Sequence, residues 1–157
     1  MFITPRTTNP TQADSGGIGG ATPDGVGSDC QSADFNGDGV TDLVAGAIQF
    51  FVGQRYDLHA WVVMPNHAHV VVWPHPGHTL SDILHSWKSY TSKEANKLLH
   101  REGGTFWQGE SFNHWIRDDD ERVRLVAYTE NNPVKARLCK APEDWKWSSA
   151  YERSQAL

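Results

Sequence analysis

Apolar and polar positions change their rhythm several times along the 157 residues. Up to about residue 47 large apolar side chains are sparse. The stretch PTQADSGGIGGATPDGVGSD has too few of them to build a core, so residues 8–30 read as flexible. From Tyr56 the pattern thickens. YDLHAWVVM, residues 56–64, has the length and the Trp, Val and Tyr content of a strand. Pro65-Asn66 punctuates it as a turn, and HAHVVVW, residues 67–73, supplies a second strand, giving a hairpin closed by Pro74, Pro76 and Gly77. The period then lengthens. Thr79 with Asp82 three residues on looks like a helix start, after which Leu80, Ile83, Leu84, Trp87, Ala95, Leu98 and Leu99 fall on one helical stripe. This helix is expected to run to about Arg101 and stop at Gly103-Gly104. FWQGESFNHWIR, residues 106–117, returns to extended structure. The acidic run Asp118–Glu121 suits the positive N-terminal end of a further helix, which Pro133 ends or restarts. The order strand–strand–helix–strand–helix predicts an α+β layer: an antiparallel sheet with helices on one face.

Charge sharpens the division of the chain. The formal net charge is −5, and residues 1–52 carry all of it, with Arg6 as their one base against six aspartates. The remaining 13 bases and 13 acids cancel, so any grip on a polyanion has to come from a local patch. All seven Trp and all eight His lie after residue 58. Cys30 and Cys139 form no metal spacing and imply no disulfide framework. No stretch has the apolar length of a membrane span or a secretory leader, so the expectation is a soluble, cytoplasmic protein without membrane contact.

The sharpest local chemistry is His67-Ala68-His69. On a strand, residues two apart share a face at about 6.6 Å between Cα atoms, close enough for two imidazoles to converge on one ion. In a chain with eight histidines the pair alone is a weak signal, and two surface or half-buried hairpin histidines are its simpler reading. Tyr90 and Glu94, four residues apart on the following helix, share a face. Should that helix cross the histidine strand, a phenol, a carboxylate and two imidazoles would meet, and two His and one Glu leave coordination positions open for substrate oxygens. The alternatives are a core aromatic at Tyr90 and a solvated partner of Lys93 or Lys97 at Glu94. Lys88 and Lys93 on the helix, then Trp107, Gln108, His114 and Arg117, are candidates for phosphate and base contacts. For Trp107 and Trp115 the core is the favoured reading over a stacking platform.

Taken together, RYDLHAWVVMPNHAHVVV, HSWKSYTSKEANKLLHREGGTFWQGESF, IRDDDERVRLVAYTENNPVKARL and APEDWKWSSA resemble the REP-associated tyrosine transposases, a branch of the HUH endonuclease superfamily, over about residues 53–151. The resemblance implies a ferredoxin-like sheet and a metal pair at His67 and His69. It further implies Tyr90 as catalytic nucleophile and a third ligand one helical turn later, at Glu94. It implies Mg²⁺- or Mn²⁺-dependent cleavage and rejoining of single-stranded DNA beside palindromic hairpins through a 5′-phosphotyrosine link. The protein would then be nucleoid-associated, as a monomer or homodimer.

The start of the chain departs from that pattern. FITPRT, residues 2–7, only vaguely resembles the family's opening strand, and Pro5, which has no N–H to donate, argues against a central place in the sheet. The N-terminal part therefore reads as atypical or incomplete. DFNGDGVTD, residues 34–42, resembles a calcium loop, with Asp34, Asn36, Asp38 and Asp42 as side-chain ligands and Val40 through its carbonyl, although Ala45 stands where an EF-hand has its bidentate Glu. The expected organisation is an arm at 1–33, a calcium-loop-like segment at 34–46 and a nuclease domain at 47–157. Two rivals to a working nuclease follow: a degenerate copy that grips repeat hairpins without cutting, and a calcium-binding extracellular fragment holding Ca²⁺.

Overall fold

A computed structural model describes residues 2–5, 37 and 39–157. Four strands, β1 (Phe2–Pro5), β2 (Tyr56–Met64), β3 (His67–Pro74) and β4 (Trp107–Phe112), form one antiparallel sheet in the order β2-β3-β1-β4. Helix α1 (Val40–Gln49) lies in sequence between β1 and β2, and α2 (Leu80–Leu98) between β3 and β4. That order and connectivity are the ferredoxin-like arrangement predicted, built as two β-α-β crossovers. After β4 come α3 (Asp119–Glu130), the short α4 (Asn132–Lys135), a single 3-10 turn at Pro142–Asp144 and α5 (Ser149–Gln155).

Helix starts follow the sequence signals. Thr79 caps α2 by accepting from the Asp82 amide, and Asp118 caps α3 by accepting from the Glu121 amide. Pro133 sits in the first turn of α4, so it restarts the helix. Buried Ile83, Leu84, Trp87, Thr91 and Ala95 form the inner stripe of α2. A chain of buried hydrogen bonds fastens both crossover helices to the sheet. The Trp107 indole donates to the Thr91 hydroxyl (2.7 Å), which donates to the Trp87 carbonyl (2.6 Å). The Trp87 indole in turn donates to the Tyr56 hydroxyl (2.9 Å), which donates to the Ile48 carbonyl (2.7 Å). At the far edge β2 is covered by the C-terminal segment. Val63 N–H donates to the Trp147 carbonyl and the Trp145 indole to the Val63 carbonyl, which closes an edge that would otherwise be open.

Three expectations change. Helices occupy both faces of the sheet: α1 and α2 pack on one, and α3 crosses β2 and β3 on the other. Phe2–Pro5 does form the central strand, between β3 and β4. Pro5 is tolerated because it ends a four-residue strand where the pairing with β4 shifts register, between Ile3 and Pro5. The boundary drawn at 46/47 falls inside α1, whose Val44, Ala45 and Ile48 enter the common core.

The candidate loop at 34–42 is divided by that helix. Asp34, Asn36 and Asp38 lie outside the described residues, as do residues 6–33 of the expected arm at 1–33. Val40 and Asp42 belong to α1, where the Asp42 carboxylate accepts from the Trp147 indole (2.9 Å) and from the Lys146 ammonium (3.3 Å). Asp42 thus ties α1 to the C-terminal segment and is committed there.

Candidate nuclease site

The parity of the hairpin decides which groups can meet. Directly opposed residues of an antiparallel pair share a face. Val62 opposes His69 and Met64 opposes His67, whereas Trp61 opposes Val70 and Val63 opposes Ala68. A bulge between Leu58 and Ala60 inserts one residue, so Tyr56 and Leu58 join the Trp61–Val63 set. Through the Trp87–Tyr56 contact, α2 lies on that second face. The histidines point to the other.

Tyr90 is therefore on the wrong side of the sheet. It is 56% exposed and lines a cavity of about 470 Å³ with Leu43, Ala47, Phe50, Phe51 and Trp87, between α1 and α2. Glu94 goes with it, and its carboxylate pairs with Lys97 at 2.8 Å. The sequence expectation that these two join His67 and His69 is corrected by this geometry: apolar Ala68 and Val70 face the crossover helices, so the alternate positions cannot.

The phenol that does meet the pair comes from α3. The His67 and His69 rings are 4.6 Å apart between centroids, and Tyr128 stands edge-on to His69 at 6.2 Å. The Tyr128 side chain is 42% exposed and open to solvent. Lys135 completes the group, with its ammonium 4.0 Å above the Tyr128 ring centroid. Asn132, one turn after Tyr128, donates through its side-chain nitrogen to the Tyr128 carbonyl at 2.9 Å. Helix α3 is anchored from behind, where the buried Glu130 carboxylate accepts from Arg153 and from the Ser149 hydroxyl.

Both imidazoles are held in the neutral form, the form that binds metal. Burial lowers the pKa of His67. Burial, with a smaller contribution from the neighbouring His67, lowers that of His69 to about 3. The contact between His67 Nδ1 and Asn66 Oδ1, at 2.6 Å, makes Nδ1 the protonated nitrogen and leaves Nε2 with its lone pair. Among the described residues no group of three or more His, Cys, Asp and Glu converges, so an ion here would complete its shell with other oxygens.

The remaining candidates separate. Trp107 is core, its indole consumed by Thr91. Trp115, in contrast, is 80% exposed. Lys88 and Lys93 belong to α2 on the face away from the histidines, and Lys88 donates to the Gln108 carbonyl at 3.1 Å. His114 pairs with Glu121 at 2.9 Å, while Gln108 and Arg117 are exposed.

A family model described as "Transposase IS200 like" matches residues 38–132, which include His67, His69, Tyr128 and Asn132. The chain belongs to that family. It is 30% identical over 96 residues to the REP-associated tyrosine transposase of Escherichia coli (strain K12), a match spanning 60% of this chain and 54% of that protein. The chain thus corresponds to about half the length of this relative. Its fold is also that of a solved REP-associated tyrosine transposase bound to a REP hairpin, with a TM-score of 0.60 and 20% identity over 96% of this chain and 74% of the other. No helix among the described residues is long and apolar enough to cross a membrane. Tyr128 is the residue beside the histidine pair that the sequence did not single out. Its signal was present in two places: the even-numbered apolar positions of β3, and the four-residue spacing of Tyr128 and Asn132 within LVAYTENNPVK.

Proposed function

We propose that the protein is a metal-dependent single-stranded DNA endonuclease and strand transferase that acts beside hairpins, with Tyr128 as its nucleophile. The observation that carries this reading is the placement of the Tyr128 ring against the His67–His69 pair on one face of the sheet. His67 and His69 supply two neutral nitrogen ligands, and the Asn132 side-chain oxygen is the candidate third ligand, one helical turn past the nucleophile. A divalent ion such as Mg²⁺ or Mn²⁺ would draw negative charge from a phosphate oxygen. The Tyr128 oxygen forms a bond to phosphorus while the bond from phosphorus to the 3′ oxygen breaks. The phenol proton is lost to solvent, and the departing oxygen takes one up as a 3′-OH. The DNA downstream of the cut stays on Tyr128 as a 5′-phosphotyrosine, poised for rejoining. Exposed Trp115, Phe112 and Arg117, in or just after β4, offer stacking faces and a cation for the flanking strand.

The test uses hairpin oligonucleotides with randomised single-stranded flanks, labelled at the 3′ end, incubated with the protein and Mn²⁺. A covalent adduct that carries the 3′ label and vanishes with EDTA supports the reading. Retention of the hairpin with no adduct from the unaltered protein refutes it and leaves a binding protein that does not cut.

A further inference from the structure

Helix α3 ends at Glu130, and the chain resumes helical geometry at Asn132 after a single residue, Asn131, that itself keeps right-handed helical angles. The helical phase is therefore preserved through the junction. Tyr128, Asn132 and Lys135 stand at i, i+4 and i+7, which places all three on one stripe. This is why the Lys135 ammonium comes to rest over the Tyr128 ring, at 4.0 Å from its centroid. Among the described residues no carboxylate forms an ion pair with Lys135. The nearest acid in sequence, Glu130, is taken by Arg153 and Ser149. The charge of Lys135 is thus directed at the aromatic ring.

We propose that Lys135 is a positioning residue for the nucleophile: its ammonium steadies the Tyr128 ring against His69 and places a positive charge over the face of the phenol whose oxygen attacks phosphorus. The inference rests on the nuclease reading above. A cation on a ring face is attracted by the ring's quadrupole, and that attraction grows as the ring gains negative charge. In the covalent step the phenol oxygen gives up its proton and delivers its electron pair to phosphorus, so the ring carries most charge just before the bond forms. An ammonium above it stabilises that moment more than the resting phenol, which is the requirement for raising the rate rather than the affinity. Lys135 takes and gives no proton. His69 meets the ring in a T-shaped contact, and of the cations on the same helical stripe, Arg124 at i−4 and Lys135 at i+7, Lys135 is the one that lies over the ring face.

The decisive comparison is Lys135→Met, which keeps the aliphatic stem and removes the charge, beside Lys135→Arg, which keeps the charge. Single-turnover adduct formation is followed at saturating hairpin oligonucleotide with Mn²⁺, and hairpin affinity is measured separately by anisotropy. Because Lys135 is exposed, the expected result is a rate lower by about 3- to 10-fold in Lys135→Met with affinity changed less than about 2-fold, and recovery to within about 2-fold in Lys135→Arg. A full rate in Lys135→Met, a loss confined to affinity, or a loss that Lys135→Arg does not repair would overturn the inference while the nuclease reading stands. The absence of any adduct from the unaltered protein would remove both.

Discussion

Lowering the pH in the absence of metal should destabilise this protein through His69. The ring is 5% exposed and its folded pKa lies near 3, against an ordinary value of 6.5. As the pH falls the unfolded chain therefore binds the proton first. Stability is complete above about pH 6.5 and is lost progressively as the pH drops toward the folded value. Where the unfolded ring is protonated and the folded one is not, roughly pH 5.5 to 4, the slope is about 1.4 kcal/mol per pH unit. Between pH 7.5 and 5 the accumulated loss is about 2 kcal/mol, a sizeable part of a typical domain's total. His67 is lowered by burial too and acts in the same sense, whereas half-buried His75, raised by its hydrogen bond to Asp57, acts in the opposite one. Urea unfolding followed by tryptophan fluorescence, in EDTA and across that pH range, measures the slope directly. His69→Gln removes the titration and should flatten the curve by about 1.4 kcal/mol per pH unit, with the other groups common to both proteins. Parallel curves for the two proteins would mean that the ring already carries a proton in place, and the account of a neutral, metal-ready pair would be refuted.

Other outcomes follow from single contacts. Tyr56→Phe breaks the link between the Trp87 indole and the Ile48 carbonyl, both buried, and should cost about 1–3 kcal/mol in urea titrations. A change below about 0.5 kcal/mol would show that the chain of hydrogen bonds contributes little. Arg153→Ala leaves the buried Glu130 carboxylate with Ser149 alone; because the arginine is largely exposed, the expected loss is about 2 kcal/mol, with Glu130→Gln in the same background recovering part of it. Asp42→Asn should weaken the attachment of α1 by about 1 kcal/mol, and adding Ca²⁺ should leave the melting temperature of the unaltered protein unchanged.

Much of the fold was legible because its signals are local. The hairpin announced itself through two β-rich runs around Pro65-Asn66, α2 through its stripe and the Thr79 cap, and α3 through the Asp118 cap. The central strand was harder to see. Four residues ending in Pro5 carry little pattern, and their place between β3 and β4 depends on partners more than 60 residues away. The histidine pair was legible as a pair, but its third member was misassigned, for a reason the sequence contained. Both crossovers of a β-α-β, β-α-β chain put their helices on the same face when both are right-handed. The apolar residues Ala68 and Val70 mark that face, so His67 and His69, one residue out of phase, had to look away from α2 and toward whatever covers the opposite side. Only α3 does so. Trp107 and Trp115 could not be told apart by residue type: a partner at Thr91 makes one core, and the chain's departure from β4 leaves the other in solvent.

The central claim is that the phenol of α3, and not that of α2, is the one that reacts. Tyr128→Phe and Tyr90→Phe should be compared for covalent capture of a 3′-labelled hairpin oligonucleotide in Mn²⁺, with the labelled peptide then located by mass spectrometry. Tyr128→Phe should abolish the adduct, Tyr90→Phe should retain it, and the modified peptide should contain Tyr128. An adduct that survives in Tyr128→Phe and disappears in Tyr90→Phe would contradict that claim.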